Sequence, residues 1–178
     1  MTTSRLPSLR DRIEPGVRVL FVGINPGIRS ALIGHHFAGY SNRFWKLLFA
    51  SRLVPEAIGT EDDGRLPEWG FGITNLVPRA TRGIDSLRPE EYVAGLIVLC
   101  RKVRRFKPGL VAFVGVSLFR TIFAKRGPIR LGMQPETFEG ARVFVLPNPS
   151  GRNANFSYVE MRRAFAALAR LIGSKKRL

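Results

Sequence analysis

Residues 17–30 read VRVLFVGINPGIRS, and the reading of this stretch decides the fold. Val17 to Gly23 is a short apolar run rich in β-branched and aromatic side chains, the pattern of a strand buried on both faces. It breaks into Asn25, Pro26 and Gly27, a turn in which the glycine relieves backbone sterics and the asparagine can bond its own loop. A strand of this kind belongs to a parallel sheet covered by helices.

The rest of the chain repeats the pattern. FGITNLV (71–77) reads as a short strand, LVAFVGVS (110–117) as a second continuous apolar strand, and ARVFVLPNPSG (141–151) as a strand stopped by Pro147. Helices are expected over 42–53, with Asn42 as a cap. Others are expected over 88–109, with Pro89 in the first turn and Pro108-Gly109 at the end, over LFRTIFAKRG (118–127), and over 157–173. GTEDDGRLPEWG (59–70) reads as a loop. Strands alternating with helices predict an α/β fold with a mostly parallel central sheet of four or five strands. No repeat or linker divides residues 1–178, so one domain is expected, with 1–15 as an N-terminal lead-in and 174–178 as a basic tail. In such sheets ligands sit beyond the carboxyl ends of the strands. That rule gathers GINPG, GVS and PNPSG on one rim.

Composition narrows the function. Twenty-nine Lys and Arg against 13 Asp and Glu give a formal charge of +16, which favours a polyanionic partner, nucleic acid first. Arginine predominates among the cations and suits phosphate; the bland reading is a solvated basic surface. A single cysteine, Cys100, excludes an internal disulfide and any thiolate cluster built from this chain alone. No metal site and no cofactor are expected. No apolar run is long enough to span a bilayer, and the N-terminus lacks the apolar segment of a secretory signal. A cytoplasmic monomer is expected, nucleoid-associated if the source is bacterial.

Individual motifs are weak. GINPG alone is a tight turn; it lacks the Lys-Ser/Thr of a Walker loop, and no dinucleotide glycine fingerprint is present. In IGHHFAGYSNRFWKLLF (33–49), Phe37 occupies a Gly-bounded loop, where stacking on a base and ordinary loop packing are about equally expected. His35 and His36 have no partner at ligand spacing and read as loop hydrogen-bonders. PNPSGRNANF (147–156) is a small, polar rim loop carrying Arg152.

Together and in order, LFVGINPG, GHHFAGYSNRFWK, GFGITNLVPRAT and LPNPSGRNANF resemble the mismatch-specific uracil-DNA glycosylase and thymine-DNA glycosylase family, over nearly the whole chain. The resemblance implies a three-layer α/β/α sandwich that flips uracil, or thymine or a modified pyrimidine opposite guanine, out of DNA. The N-glycosidic bond is then hydrolysed without a cofactor. It implies that Asn25 positions the attacking water and that Phe37 stacks on the flipped base. Ile24 and Ser30 line the base pocket, Ser30 near the C5 edge. Asn75 stands at the pocket edge, and Asn148 opens the motif where distant relatives carry a catalytic histidine. Ser150, Gly151 and Arg152 form the loop inserted into DNA, with Arg152 filling the vacated space.

An amide cannot serve as a general base at neutral pH, but it can hold a water over an anomeric carbon. Asp85 is a rival catalytic group, with a solvated acid before a helix as its plain reading. No lysine is poised as a Schiff-base nucleophile, so a monofunctional enzyme leaving an abasic site is expected. The competing readings are a non-catalytic nucleic-acid-binding module on the same fold, and a nucleotide hydrolase, which would bring a phosphate loop or an acidic metal site.

Overall fold

The computed structural model of the chain describes residues 6–173; the expected basic tail at 174–178 and the first five residues of the lead-in lie outside the described residues. Five strands, β1 (Val19–Gly23), β2 (Phe71–Asn75), β3 (Leu110–Val114), β4 (Gly132–Phe138) and β5 (Ala141–Leu146), form one sheet in the order β2-β1-β3-β5-β4. β2, β1, β3 and β5 are parallel, and β4 runs antiparallel to β5. The helices are α1 (Ile28–Ile33), α2 (Phe44–Ala50), α3 (Pro89–Phe106), α4 (Val116–Ile122) and α5 (Tyr158–Gly173).

The continuous apolar runs behave as their composition dictates. Every residue of β1 and β3 is buried, and alternate residues feed two cores. Val19, Phe21, Ile73, Leu110, Ala112 and Phe144 face α2 and α5, packing on Phe44, Leu47, Leu48, Met161 and Phe165. Leu20, Val22, Val111, Phe113 and Val143 face α3 and α4, packing on Leu99, Val103, Leu118 and Phe119. This is the expected three-layer α/β/α arrangement.

The four expected strands are present, and β4 is the fifth. Its residues alternate between exposed and half-buried until Phe138, and Pro135 stands where the register with β5 shifts between Met133 and Thr137. A proline cannot donate to a ladder and is tolerated at an edge or a bulge, so β4 shows none of the apolar continuity that marks its neighbours. Three other expectations shift. The long helix stops at Phe106 because Lys107 turns left-handed at φ 48°. The helix expected over 118–127 runs instead from Val116 to Ile122. Thr60–Trp69, expected as a loop, winds into a 3-10 helix that buries Asp63 and Leu66.

Two features of the sheet place the rim. β1 is an interior strand with β2 on one side and β3 on the other. The chain steps outward to β2 and then back past β1 to β3, so the crevice that opens in α/β sheets falls at the carboxyl ends of β1 and β3. The parallel register sets Gly23 beside Asn75, so the last residue of β2 stands next to the last residue of β1. The outer edge of β2 is covered by the lead-in, where Arg12 N–H donates to Ile73 O at 2.9 Å and Ile73 N–H returns the bond to Arg12 O at 2.8 Å. This single antiparallel bridge pairs the middle of the β2 edge and brings Arg10, Asp11 and Arg12 to the rim.

Candidate functional site

Asn25 leaves β1 and is half-buried. Its amide nitrogen faces three acceptors: Thr81 Oγ1 at 2.7 Å, Arg79 O at 3.0 Å and Pro26 O at 3.2 Å. Two of these are backbone carbonyls, which only accept, so the NH2 group must point toward them and the amide orientation is fixed by chemistry. Thr81 in turn donates its hydroxyl proton to Gly83 O at 2.8 Å. Among the described residues Oδ1 of Asn25 makes no hydrogen bond. The side chain is therefore clamped through its donor, and its acceptor is left over.

The clamp belongs to the loop after β2. Thr81 N–H donates to Pro26 O at 3.1 Å, and a bridge joins Gly27 to Thr81. Arg79 is anchored to α3 by a forked ion pair, with Nε 2.7 Å from Glu91 Oε1 and Nη2 2.8 Å from Oε2. That pairing, with the Arg88 N–H bond to the same carboxylate, holds Glu91 down at about 2. The anchor thus stays charged at any working pH.

Phe37 has a left-handed backbone at φ 50°, a conformation rarely adopted by an aromatic residue and found most often where the surroundings enforce it. Its ring is half-buried, not fully exposed. One face stacks on Phe44 at 4.1 Å between centroids and 22° between planes, and Phe44 is locked edge-on to Phe21 and Trp45. The loop is tied down by groups that carry no periodic signature. Asp63, 1% exposed, accepts from His36 N–H at 2.9 Å through one oxygen, and from His35 Nδ1 and Arg12 Nε, each at 3.0 Å, through the other. Trp45 Nε1 donates to His36 O at 3.1 Å.

His36 is buried, and burial pushes its imidazole below the ordinary value, so the ring is neutral. Its Nε2 lies 2.8 Å from Arg10 O, an acceptor, so Nε2 carries the proton and Nδ1 is left as an acceptor. The amide nitrogen of Asn75 lies 3.4 Å from that Nδ1. Asn75 Oδ1 consequently turns away from His36 and over Gly23. A Cβ on Gly23 would meet this oxygen at 2.7 Å and Phe37 Cζ at 3.6 Å. Gly23 is glycine because Asn75 and Phe37 occupy the space above it.

The remaining expected residues fall as follows. Ser30, 4% exposed, accepts Ala38 N–H at 3.0 Å and braces the Phe37 loop. Ile24 packs in the α3/α4 core and is 7% exposed, and its carbonyl accepts Val77 N–H at 2.8 Å, so its side chain and its carbonyl are both engaged away from the rim. Asn148 is exposed; Oδ1 accepts Ser150 N–H at 3.0 Å, leaving its NH2 without a partner among the described residues. Asn148 Cβ lies 3.8 Å from where a Cβ on Gly115, after β3, would stand. Arg152 is exposed; among the described residues only its backbone N–H is bonded, to Ser150 Oγ at 3.2 Å. Gly151 sits against Ser41, whose Cβ would be 2.5 Å from a Cβ at 151, and Arg43 N–H donates to Pro149 O at 2.9 Å. The Arg152 loop and the Phe37 loop are therefore packed together. Asp85 is exposed on the turn Ile84–Ser86, with no hydrogen bond or ion pair among the described residues.

Sequence reasoning passed over Thr81 and Arg79, in the loop after β2, Asp63, in the 3-10 helix, and Arg12 and Arg10, in the lead-in. The one available signal was EDDG (61–64), an acidic cluster in a strongly basic chain. Among the described residues, no group of three or more His, Cys, Asp or Glu is placed to hold a metal, and no helix is long and apolar enough to cross a membrane. A cavity of about 1000 Å3 lies at the opposite end of the sheet, lined by Arg18, Trp69 and Arg142 among others.

A family model, Uracil DNA glycosylase superfamily, matches residues 11–169. The fold is also similar to a solution NMR structure of a Methanosarcina acetivorans protein provisionally assigned as a uracil DNA glycosylase. That similarity has a TM-score of 0.65 and 18% identity, and it covers 94% of this chain and 98% of that one.

Proposed function

Because the chain belongs to the uracil DNA glycosylase superfamily, we propose that it removes uracil from DNA by hydrolysing the N-glycosidic bond, as a monofunctional enzyme of the mismatch-specific and thymine-DNA branch. The observation that carries this reading is the clamped amide of Asn25, which keeps Oδ1 unengaged at the mouth of β1.

A base in a duplex is out of reach, so it must be extruded at a cost of a few kcal/mol, least for a mismatched or damaged pair. The +16 charge holds the backbone on both sides without reading sequence. Arg152, exposed and with no partner for its guanidinium among the described residues, fills the space left behind. The flipped pyrimidine lies on Phe37, whose ring is backed by Phe44. Asn75, with its NH2 committed to His36, offers Oδ1 to the base edge. Uracil and thymine present an N3–H donor there, whereas cytosine presents an acceptor and is rejected. Ser30, at the base of the Phe37 loop, completes the recess.

Glycosidic cleavage builds positive charge on the sugar and negative charge on the leaving base. A weak nucleophile suffices for such a cation. Asn25 Oδ1 accepts a hydrogen bond from water and holds it over the anomeric carbon, a positioning effect. As the C–O bond forms to the sugar cation, the proton the water sheds passes to solvent, and the base anion is protonated from solvent after it departs. The free NH2 of Asn148 donates to the departing base, the point where an anion needs a preorganised donor.

The test is Asn25→Ala, assayed on a labelled duplex with a single uracil, with alkaline cleavage revealing abasic sites. Excision is lost while duplex affinity stays within about threefold, since the amide supplies transition-state organisation and not ground-state binding. Near-normal excision by this variant overturns the assignment. Unchanged affinity with no excision by the wild type supports a binding module instead.

A further inference from the structure

Tyr40 plays no part in the catalytic arrangement, yet it stands beside it. It is 90% exposed, three residues after Phe37 in the loop that leads to α2. An aromatic this open would ordinarily sample several rotamers, but Tyr40 is held. The Arg29 guanidinium lies 4.0 Å from the ring centroid, and its Nη1 donates to the Tyr40 hydroxyl at 2.8 Å. Arg29 is itself fixed, because its Nε donates to Ala38 O at 2.8 Å. The guanidinium thus covers one face of a ring whose other face is open to solvent, and its Nη2 has no partner among the described residues. The next residue, Ser41, is the one against which Gly151 of the Arg152 loop is packed.

An aromatic face braced by a cation, with a spare N–H donor beside it, has the chemistry of a nucleotide site: the ring takes a base and the guanidinium takes the adjoining phosphate. Its position next to the Arg152 loop places it over DNA flanking the flipped nucleotide. Resting on the glycosylase reading, we propose that Tyr40 and Arg29 form a second stacking platform. It takes a nucleobase adjacent to the lesion, separately from the Phe37 pocket.

The experiment uses the full chain and a duplex carrying one tetrahydrofuran abasic analogue flanked by 2-aminopurine, read by anisotropy and by 2-aminopurine fluorescence. Wild-type protein quenches the probe. Tyr40→Ala weakens binding by about 5- to 10-fold, the lower part of the range for loss of one aromatic stack, and abolishes the quench. Tyr40→Phe retains both within about twofold, because the ring and not the hydroxyl takes the base. Thermal unfolding of both variants matches the wild type, since the side chain is outside the core. Equal quench and affinity for Tyr40→Ala overturns the proposal, as does a loss in Tyr40→Phe as large as that in Tyr40→Ala. Uracil excision by the wild type, measured in parallel, separates the two readings. A stacked probe without excision removes the glycosylase assignment and leaves the platform, and excision with an unstacked probe does the reverse.

Discussion

Replacing Thr81 by valine removes one hydroxyl from a site that is 6% exposed and keeps the side-chain outline. Two hydrogen bonds disappear: the 2.7 Å bond accepted from Asn25 and the 2.8 Å bond donated to Gly83 O. At about 0.5–1.5 kcal/mol net each, the folded state loses about 1–3 kcal/mol. The backbone link from Thr81 N–H to Pro26 O survives, so the loop stays in place. Asn25 keeps its bonds to Arg79 O and Pro26 O but loses the shortest of its three restraints. If that restraint is what holds Oδ1 in the orientation that organises water, the competent population falls by about threefold to tenfold. The loss appears in kcat, with KM little changed, because the water is organised only on the way to the transition state. Single-turnover excision of uracil from a duplex gives the rate, and urea unfolding gives the stability. Thr81→Ser restores the rate, since it retains the hydroxyl. A valine variant at the wild-type rate refutes the clamp, and so does a serine variant as slow as valine, which would assign the effect to the methyl group.

Gly23→Ala places a carbon 2.7 Å from Asn75 Oδ1, and Asn75 cannot swing away without leaving His36. Overpacking of this kind costs about 1–3 kcal/mol, and kcat/KM for uracil is expected to fall by about 5- to 100-fold; a steady-state assay showing less than twofold would mean the recess is elsewhere. His36 gives a pH signature. Its folded value lies below the ordinary 6.5, so as pH falls beneath about 6.5 the unfolded chain takes up a proton that the folded chain refuses. Stability is therefore complete above about 6.5 and declines down to the folded value, by at most 1.36 kcal/mol per pH unit. Urea midpoints at several pH values should show a shallower decline for His36→Gln, and identical slopes would exclude His36 as the source.

The layers were legible because they rest on composition. β1, β3 and β5 are continuous apolar runs whatever their neighbours, and Asn25 at the mouth of β1 follows from the rule for parallel sheets. β4 was not legible, since Pro135, Glu136 and an exposed alternation carry no buried-strand signal. The clamp was not legible either. Asn25 meets Arg79 and Thr81 across 54 and 56 residues, and a polar loop announces no partner until the register of β1 with β2 brings it there. Phe37 was half legible: its place near the site could be read, but its dependence on Phe44 and on the bonds of Asp63 is tertiary. Asp63 was not singled out within its expected loop, because its three donors come from the lead-in and from the histidine pair.

The contact between Gly151 and Ser41 carries a mechanical consequence. A Cβ at 151 would stand 2.5 Å from Ser41 Cβ and 2.8 Å from Ser41 O, so a side chain there has to displace the backbone of the Phe37 loop and not merely one side chain. Any displacement of the Arg152 loop is thereby passed to the segment that seats Phe37, so the two answer to a single packing constraint.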